Sequence, residues 1–178
     1  MNVLLVDDHV VVRMALEHLL KKHSIEVMGQ AGTLMEALSE LERCRPDVVL
    51  LDLNLGSDGP KTVIQELRRC HPDIPILVLS MHEDSATVRN AVAAGVNGYV
   101  VKSSGETELL TGLHAVAGGG SYFGPRVARH ALGGLPRPVE TFADRDRVLV
   151  ELLARGLNNK AIAAEMNVSL GGVKSHLA

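Results

Sequence analysis

Asp52 ends the run Val48-Val49-Leu50-Leu51, four apolar residues that read as a strand buried on both faces. A carboxylate placed there must be paired, open onto a pocket, or react, because an unpaired buried charge is costly. Other apolar runs end in the same manner. Asp7 and Asp8 follow "NVLLV" (2–6), Ser80 closes "IPILVLS" (74–80), and Lys102 follows "NGYVV" (97–101). Taken singly, Asp7-Asp8 reads as a helix cap with a first-turn acid, Ser80 as a turn residue and Lys102 as a solvated lysine. Together they form a set. Three carboxylates packed together raise one another's pKa values unless a cation sits among them, and Mg²⁺ commonly binds through carboxylates plus phosphate oxygens. Asp52 is then a nucleophile that accepts a phosphoryl group as an acyl phosphate. Mg²⁺ held by Asp7, Asp8 and Asp52 offsets charge on the transferring group. Lys102 pairs with one phosphoryl oxygen, and the Ser80 hydroxyl donates to another.

These residues converge only if the elements carrying them alternate in a regular way. Each strand-like run is followed by a helical pattern. Val10, Met14, Leu16, Leu19 and Leu20 follow the first strand, and "IEVMGQA" (25–31) reads as the second. Thr33 caps a helix carrying Leu34, Ala37, Leu38 and Leu41; "KTVIQELRR" (61–69) is helical; Asp84 or Ser85 caps a helix that runs to Ala94 and stops at Gly95; "ETELLTGLHAVAG" (106–118) is the last helix. Five strands alternating with five helices, the strands continuously apolar, predict a doubly wound five-stranded parallel sheet covered on both faces. In such a sheet function gathers at the carboxyl ends of the strands.

Residues 1–118 resemble the receiver domain of two-component response regulators, a flavodoxin-like fold. "LLVDDH", "VVLLDLNL", "ILVLS" and "GYVVK" stand where that family keeps its acidic pair, phosphoacceptor, switch hydroxyl and lysine. The resemblance implies that a sensor histidine kinase phosphorylates Asp52 and that the main-chain carbonyl of Asn54 completes the metal shell. It also implies that Tyr99 is the aromatic that changes rotamer with the switch hydroxyl, and that the activated protein forms a homodimer. One departure stands out. The family's Met-Pro pair after the acceptor is replaced by Leu55-Gly56, and Gly59 comes one residue early. Gly56 adds backbone freedom beside the metal shell, so the phosphorylation rate and the tightness of Mg²⁺ binding are expected to differ.

Residues 119–140 shift to Gly, Pro and Arg and read as a linker, with "PRVARHAL" as a short helix begun by Pro125. From 141 the pattern is helical and resembles a LuxR-type helix-turn-helix of the NarL/FixJ class. The resemblance rests on the spacing of Leu152, Gly156, Asn159-Lys160, Ile162-Ala163, Val168-Ser169, Val173-Lys174 and His176. It implies promoter DNA as a partner, with Lys160, Val173, Lys174 and His176 at the DNA. Gly171-Gly172 soften the first turn of the recognition helix. The chain stops at Ala178, before the fourth helix of that family, so 141–178 is expected to be an incomplete domain that binds DNA poorly.

Charge follows the same division. Residues 1–118 carry a net charge of −6 and residues 119–178 a net of +3, within an overall −3. The mildly basic rear suits a polyanionic partner. Cys44 and Cys70 are isolated thiols without metal-ligand spacing and fit a reducing compartment. Charge begins at Asp7, too soon for a signal peptide, and no apolar run reaches a membrane span. A cytoplasmic location with no membrane partner is expected. The reading is a phosphoacceptor regulator of transcription and not an enzyme, beyond slow self-catalysed phosphotransfer and dephosphorylation. A receiver acting through protein contacts, with a vestigial DNA-binding half, is one alternative. An aspartyl-phosphate phosphatase of the haloacid dehalogenase type is another, but it requires Asp-x-Asp after its first strand, and "VDDHV" does not supply it.

Overall fold

The computed structural model describes residues 1–55 and 60–134. Its strands are β1 (Asn2–Val6), β2 (Glu26–Ala31), β3 (Val48–Leu51), β4 (Ile76–Ser80), β5 (Gly98–Val101) and β6 (Tyr122–Phe123). Its helices are α1 (Val10–Lys22), α2 (Leu34–Cys44), α3 (Pro60–Cys70), α4 (Ser85–Ala93), α5 (Glu106–Ala117) and α6 (Ala128–Gly134), with a single 3₁₀ turn at Lys102–Ser104. The strands form one parallel sheet in the order β2-β1-β3-β4-β5-β6.

The uninterrupted apolar strands are explained by burial on both sides. Leu4, Val6, Val49, Leu51, Ile76 and Val78 face one core with residues of α2, α3, α4 and α6. Val3, Leu5, Val48, Leu50, Leu77 and Leu79 face the other with α1 and α5. The helix signals hold in detail. Thr33 Oγ1 accepts from the Glu36 main-chain N–H (3.2 Å), and the Asp84 carboxylate accepts from Ala86 and Thr87 (3.2 and 3.0 Å). Asp84 is therefore the cap, and Ser85 is the first helical residue. In α1, Leu20 is buried and Leu16 and Leu19 pack on the core, whereas Val10 and Met14 stay exposed.

Two expectations need correction. The sheet has six strands, and part of the segment read as linker is folded onto it. Gly118, Gly119 and Gly120 donate to α5 carbonyls, and Gly119, at φ +82°, turns the chain back alongside β5. Tyr122 N–H then donates to Asn97 O (3.1 Å) and Gly124 N–H to Tyr99 O (2.9 Å). Gly98 admits this strand, since a Cβ there would lie 2.7 Å from Tyr122 O. Val127 and Ala131 close the edge, and both are fully buried. The first compact unit accordingly runs Met1–Leu135. A two-residue strand carries too little periodicity to be read from sequence. The "PRVARHAL" helix falls at Ala128–Gly134.

Candidate functional site: an acidic cluster bridged by lysine

The chain enters the site from the carboxyl ends of β1, β3 and β5. The Asp7 main-chain N–H donates to Ala31 O (3.0 Å), and that of Asp52 donates to Val6 O (2.8 Å). Ladder-type bonds therefore extend one residue past β1 and β3 and fix both carboxylates at the sheet edge. Leu53 and Leu55 are buried on either side of exposed Asn54. This alternation anchors the loop, and the Asn54 main-chain N–H donates to Asp52 Oδ1 (3.3 Å).

Asp7 and Asp52 are each 3% exposed, and Lys102 Nζ lies 2.8 Å from Asp7 Oδ2 and 2.8 Å from Asp52 Oδ2. One ammonium thus bridges two buried carboxylates, as charges taken out of water require. Burial of Lys102 works against its charge, but the hydrogen bonds to Asp52 and Asp7 outweigh it and hold its pKa above the usual lysine value. Burial likewise opposes ionisation of Asp7. The Lys102 hydrogen bond, the His9 main-chain N–H (2.8 Å) and the Lys102 charge prevail, so its pKa lies below the usual value. Arg13 Nη1 holds the Asp7 carbonyl at 2.5 Å.

Donor atoms of Asp7, Asp8, His9 and Asp52 all lie within 4.8 Å of one another. Three carboxylates so placed match the oxygen-ligand chemistry of a hard divalent cation. His9, which the sequence reading passed over, belongs to this group, and its Nδ1 is 2.6 Å from Asp8 Oδ1. Its place immediately after the acidic pair was the available signal.

Ser80 is fully buried at the end of β4 and accepts from the His82 N–H (3.2 Å). The Tyr99 side chain is also fully buried and donates its hydroxyl to His82 O (2.7 Å). Burial pushes the Tyr99 phenol up to about 12, with the Ser80 hydrogen bond pulling the other way and the charges of Asp84 and Asp52 adding to the rise. Ser80 and Tyr99 therefore share one loop residue, His82. A second connection was not legible in sequence. Arg126 Nη2 lies 2.8 Å from Glu83 Oε2, and Nη1 donates to Ser103 Oγ (2.7 Å).

Of the residues expected to act, Asp7, Asp52 and Lys102 are in direct contact. Asp8 lies at their rim, and Asn54, Ser80 and Tyr99 lie in the adjoining loops and strands. Gly56 and Gly59 fall outside the described residues, as do Lys160, Val173, Lys174 and His176 and the whole of the expected helix-turn-helix.

A parallel sheet with paired acids, a lone acid and a lysine at the carboxyl ends of β1, β3 and β5 defines the receiver class of domain. The family model for the response regulator receiver domain matches residues 3–114, and the chain belongs to the two-component response regulators, in the NarL/FixJ class. It is 33% identical to the DNA-binding transcriptional activator DevR/DosR of Mycobacterium tuberculosis, over 99% of this chain and 85% of that protein. It is 28% identical to the response regulator protein VraR of Staphylococcus aureus, over 99% and 87%. Among solved structures, a LuxR-family two-component response regulator from Aurantimonas sp. superposes with TM-score 0.69 at 31% identity, covering 74% of this chain and 95% of that one. The RcsB–DNA complex superposes with TM-score 0.67 at 26% identity, covering 99% and 87%.

Proposed function

We propose that this chain is a transcription regulator switched by phosphorylation of Asp52. The observation that carries the reading is the buried Asp52 carboxylate, held by Lys102 beside the Asp7–Asp8 pair. A sensor histidine kinase is the donor. One Asp52 oxygen attacks phosphorus, the P–O bond forms as the P–N bond to the kinase imidazole breaks, and the nitrogen leaves with a proton. Asp7, Asp8, Asp52 and the Asn54 main-chain carbonyl would hold Mg²⁺, which supplies neutralisation of the charge on the transferring group. Lys102 follows the charge from the free carboxylate to a phosphoryl oxygen, keeping Asp7 as its second partner. The Ser80 hydroxyl donates to another oxygen, giving up its place under the His82 N–H. Because Tyr99 is tied to the same residue, it moves with that loop. Catalysis is confined to this phosphoryl transfer and to slow dephosphorylation, in which water takes the phosphoryl group from Asp52.

DNA is the proposed target of the regulator, bound as a homodimer after activation. The names of DevR/DosR, a DNA-binding transcriptional activator, and of the RcsB–DNA complex support this, as does the LuxR-like spacing of residues 141–178. Among the described residues no helix is long and apolar enough to cross a membrane. The experiment is phosphotransfer from acetyl phosphate in Mg²⁺, followed by sedimentation and by anisotropy titration of inverted-repeat DNA at fixed salt. Phosphorylation should shift both self-association and DNA affinity. Identical sedimentation and titration curves with and without a phosphoryl group would refute the switch.

A further inference from the structure

The segment that follows α5 lies on the face where the switch hydroxyl and the lysine are read. Val127 and Ala131 share one core with Tyr99, Val88, Ala91 and Val92, so α6 covers the junction of α4 and β5. Gly124 donates to the Tyr99 main-chain carbonyl, and the Tyr99 hydroxyl donates to His82. Arg126 bonds Glu83, one residue past His82, and Ser103, one residue past Lys102. One guanidinium therefore joins the loop leaving Ser80 to the turn leaving Lys102.

The docking also leaves one acceptor uncompensated. Glu108 Oε1 is buried without a hydrogen-bond partner, and a Cβ on Gly124 would lie 2.0 Å from it. The carboxylate is thus pressed beneath the β6–α6 junction, and a buried acceptor left unmade works against the docked arrangement. The anchors are the paired strand residues Tyr122 and Phe123, both part-buried, the buried side chains of Val127 and Ala131, and the bonds made by Gly124 and Arg126.

We infer that residues 121–134 are a strap, docked while Asp52 is free and released when Asp52 is phosphorylated, with Arg126 as the positioning residue that senses both loops. The inference rests on the phosphoacceptor reading of Asp52. A phosphoryl group draws Ser80 and Lys102 to different oxygens, so Glu83 and Ser103 shift relative to one another. The planar guanidinium of Arg126 holds both through neighbouring nitrogens, so such a shift weakens one bond or the other. The chain continues from α6 into residues 135–178, and release is passed to them along the backbone. By reciprocity, whatever loosens the strap favours the phosphoryl-bound state.

Hydrogen exchange of the full chain, with and without Mg²⁺ and the phosphoryl mimic beryllofluoride, tests this. Wild type should exchange faster across 121–134 when the mimic binds. Arg126→Ala should exchange faster there without it, and should bind it about twofold to fivefold more tightly, the range of one exposed ion pair. The double variant Glu83→Arg with Arg126→Glu should restore both values. Changes confined to the loop after Ser80, or increased protection of 121–134, would overturn the strap while leaving the phosphoacceptor reading intact. Failure of the mimic to alter exchange anywhere, with Asp52→Ala behaving as wild type, would overturn both.

Discussion

Two half-buried cations sit at opposite ends of the sheet. Lys102, past the carboxyl end of β5, is held by two carboxylates that do not belong to the ladder. Arg68, on α3, reaches the amino ends of β4 and β5. It donates to Gly95 O (2.8 Å), Pro72 O (3.2 Å), Ile74 O and Asn97 Oδ1 (2.6 Å). Asn97 Oδ1 also accepts from the Ile76 N–H (2.9 Å), so the guanidinium ties the starts of two strands together. Neutral carbonyls cannot repay the desolvation of a charge as carboxylates can. Burial therefore lowers the Arg68 pKa, against the Asp73 charge, whereas that of Lys102 is raised. A cation among carbonyls fastens the fold. A cation among surplus carboxylates can be exchanged for another positive group, and that exchange is what a phosphoacceptor site requires.

The first test of this contrast is Arg68→Ala. It orphans the carbonyls of Ile74 and Gly95 and should cost on the order of 3 kcal/mol in urea unfolding, with phosphoryl uptake per folded molecule unchanged. Loss of uptake would show that the amino end of the sheet is coupled to the site. Lys102→Ala should cost less, about 2 kcal/mol without Mg²⁺, because Asp7 and Asp52 lose the ammonium but keep the main-chain N–H groups of His9 and Asn54. Most of that loss should return on adding Mg²⁺, which has no reason to rescue Arg68→Ala.

The pH profiles should separate the two residues as well. The folded Asp7 pKa is depressed, so its pairing contributes stability above about pH 3.9 and loses it as the pH falls through the folded value. The folded Lys102 pKa is raised, so its contribution is complete below about 10.4 and is lost as the pH rises through the folded value. The difference between wild type and Lys102→Ala should therefore narrow at both extremes. The Arg68→Ala deficit should stay flat from about pH 4 to 10, since its carbonyl partners do not titrate. The smallest effect is on the cation. Lys102 competes for the carboxylates of Asp7 and Asp52, so Lys102→Ala should show a larger Mg²⁺-induced rise in Tm than wild type, by a few degrees for a domain of this size. Equal rises would mean that lysine and cation do not share ligands.

The same contrast marks where sequence reading succeeds. Lys102, Asp7 and Asp52 were legible because each follows a strand whose continuous apolar pattern is visible without the fold, and strand ends in a parallel sheet have one destination. Thr33 and Asp84 were legible because capping is local. Arg68 is one of two arginines in "RRC", and nothing in the sequence shows that its partners are carbonyls on two other loops. Arg126 was hidden for the same reason, and β6 because two residues make no period. His9 stood in view beside Asp8, and its position after the acidic pair was its one signal, too weak alone to set it apart from a helix-start histidine.

The central claim is that Asp52 is the acceptor. Intact mass and peptide mapping after treatment with acetyl phosphate and Mg²⁺ test it most directly. One phosphoryl group should appear, on the peptide containing Asp52, and should be absent from Asp52→Ala and from samples treated with a chelator. The same mass gain in Asp52→Ala, or a gain indifferent to Mg²⁺, would contradict the account.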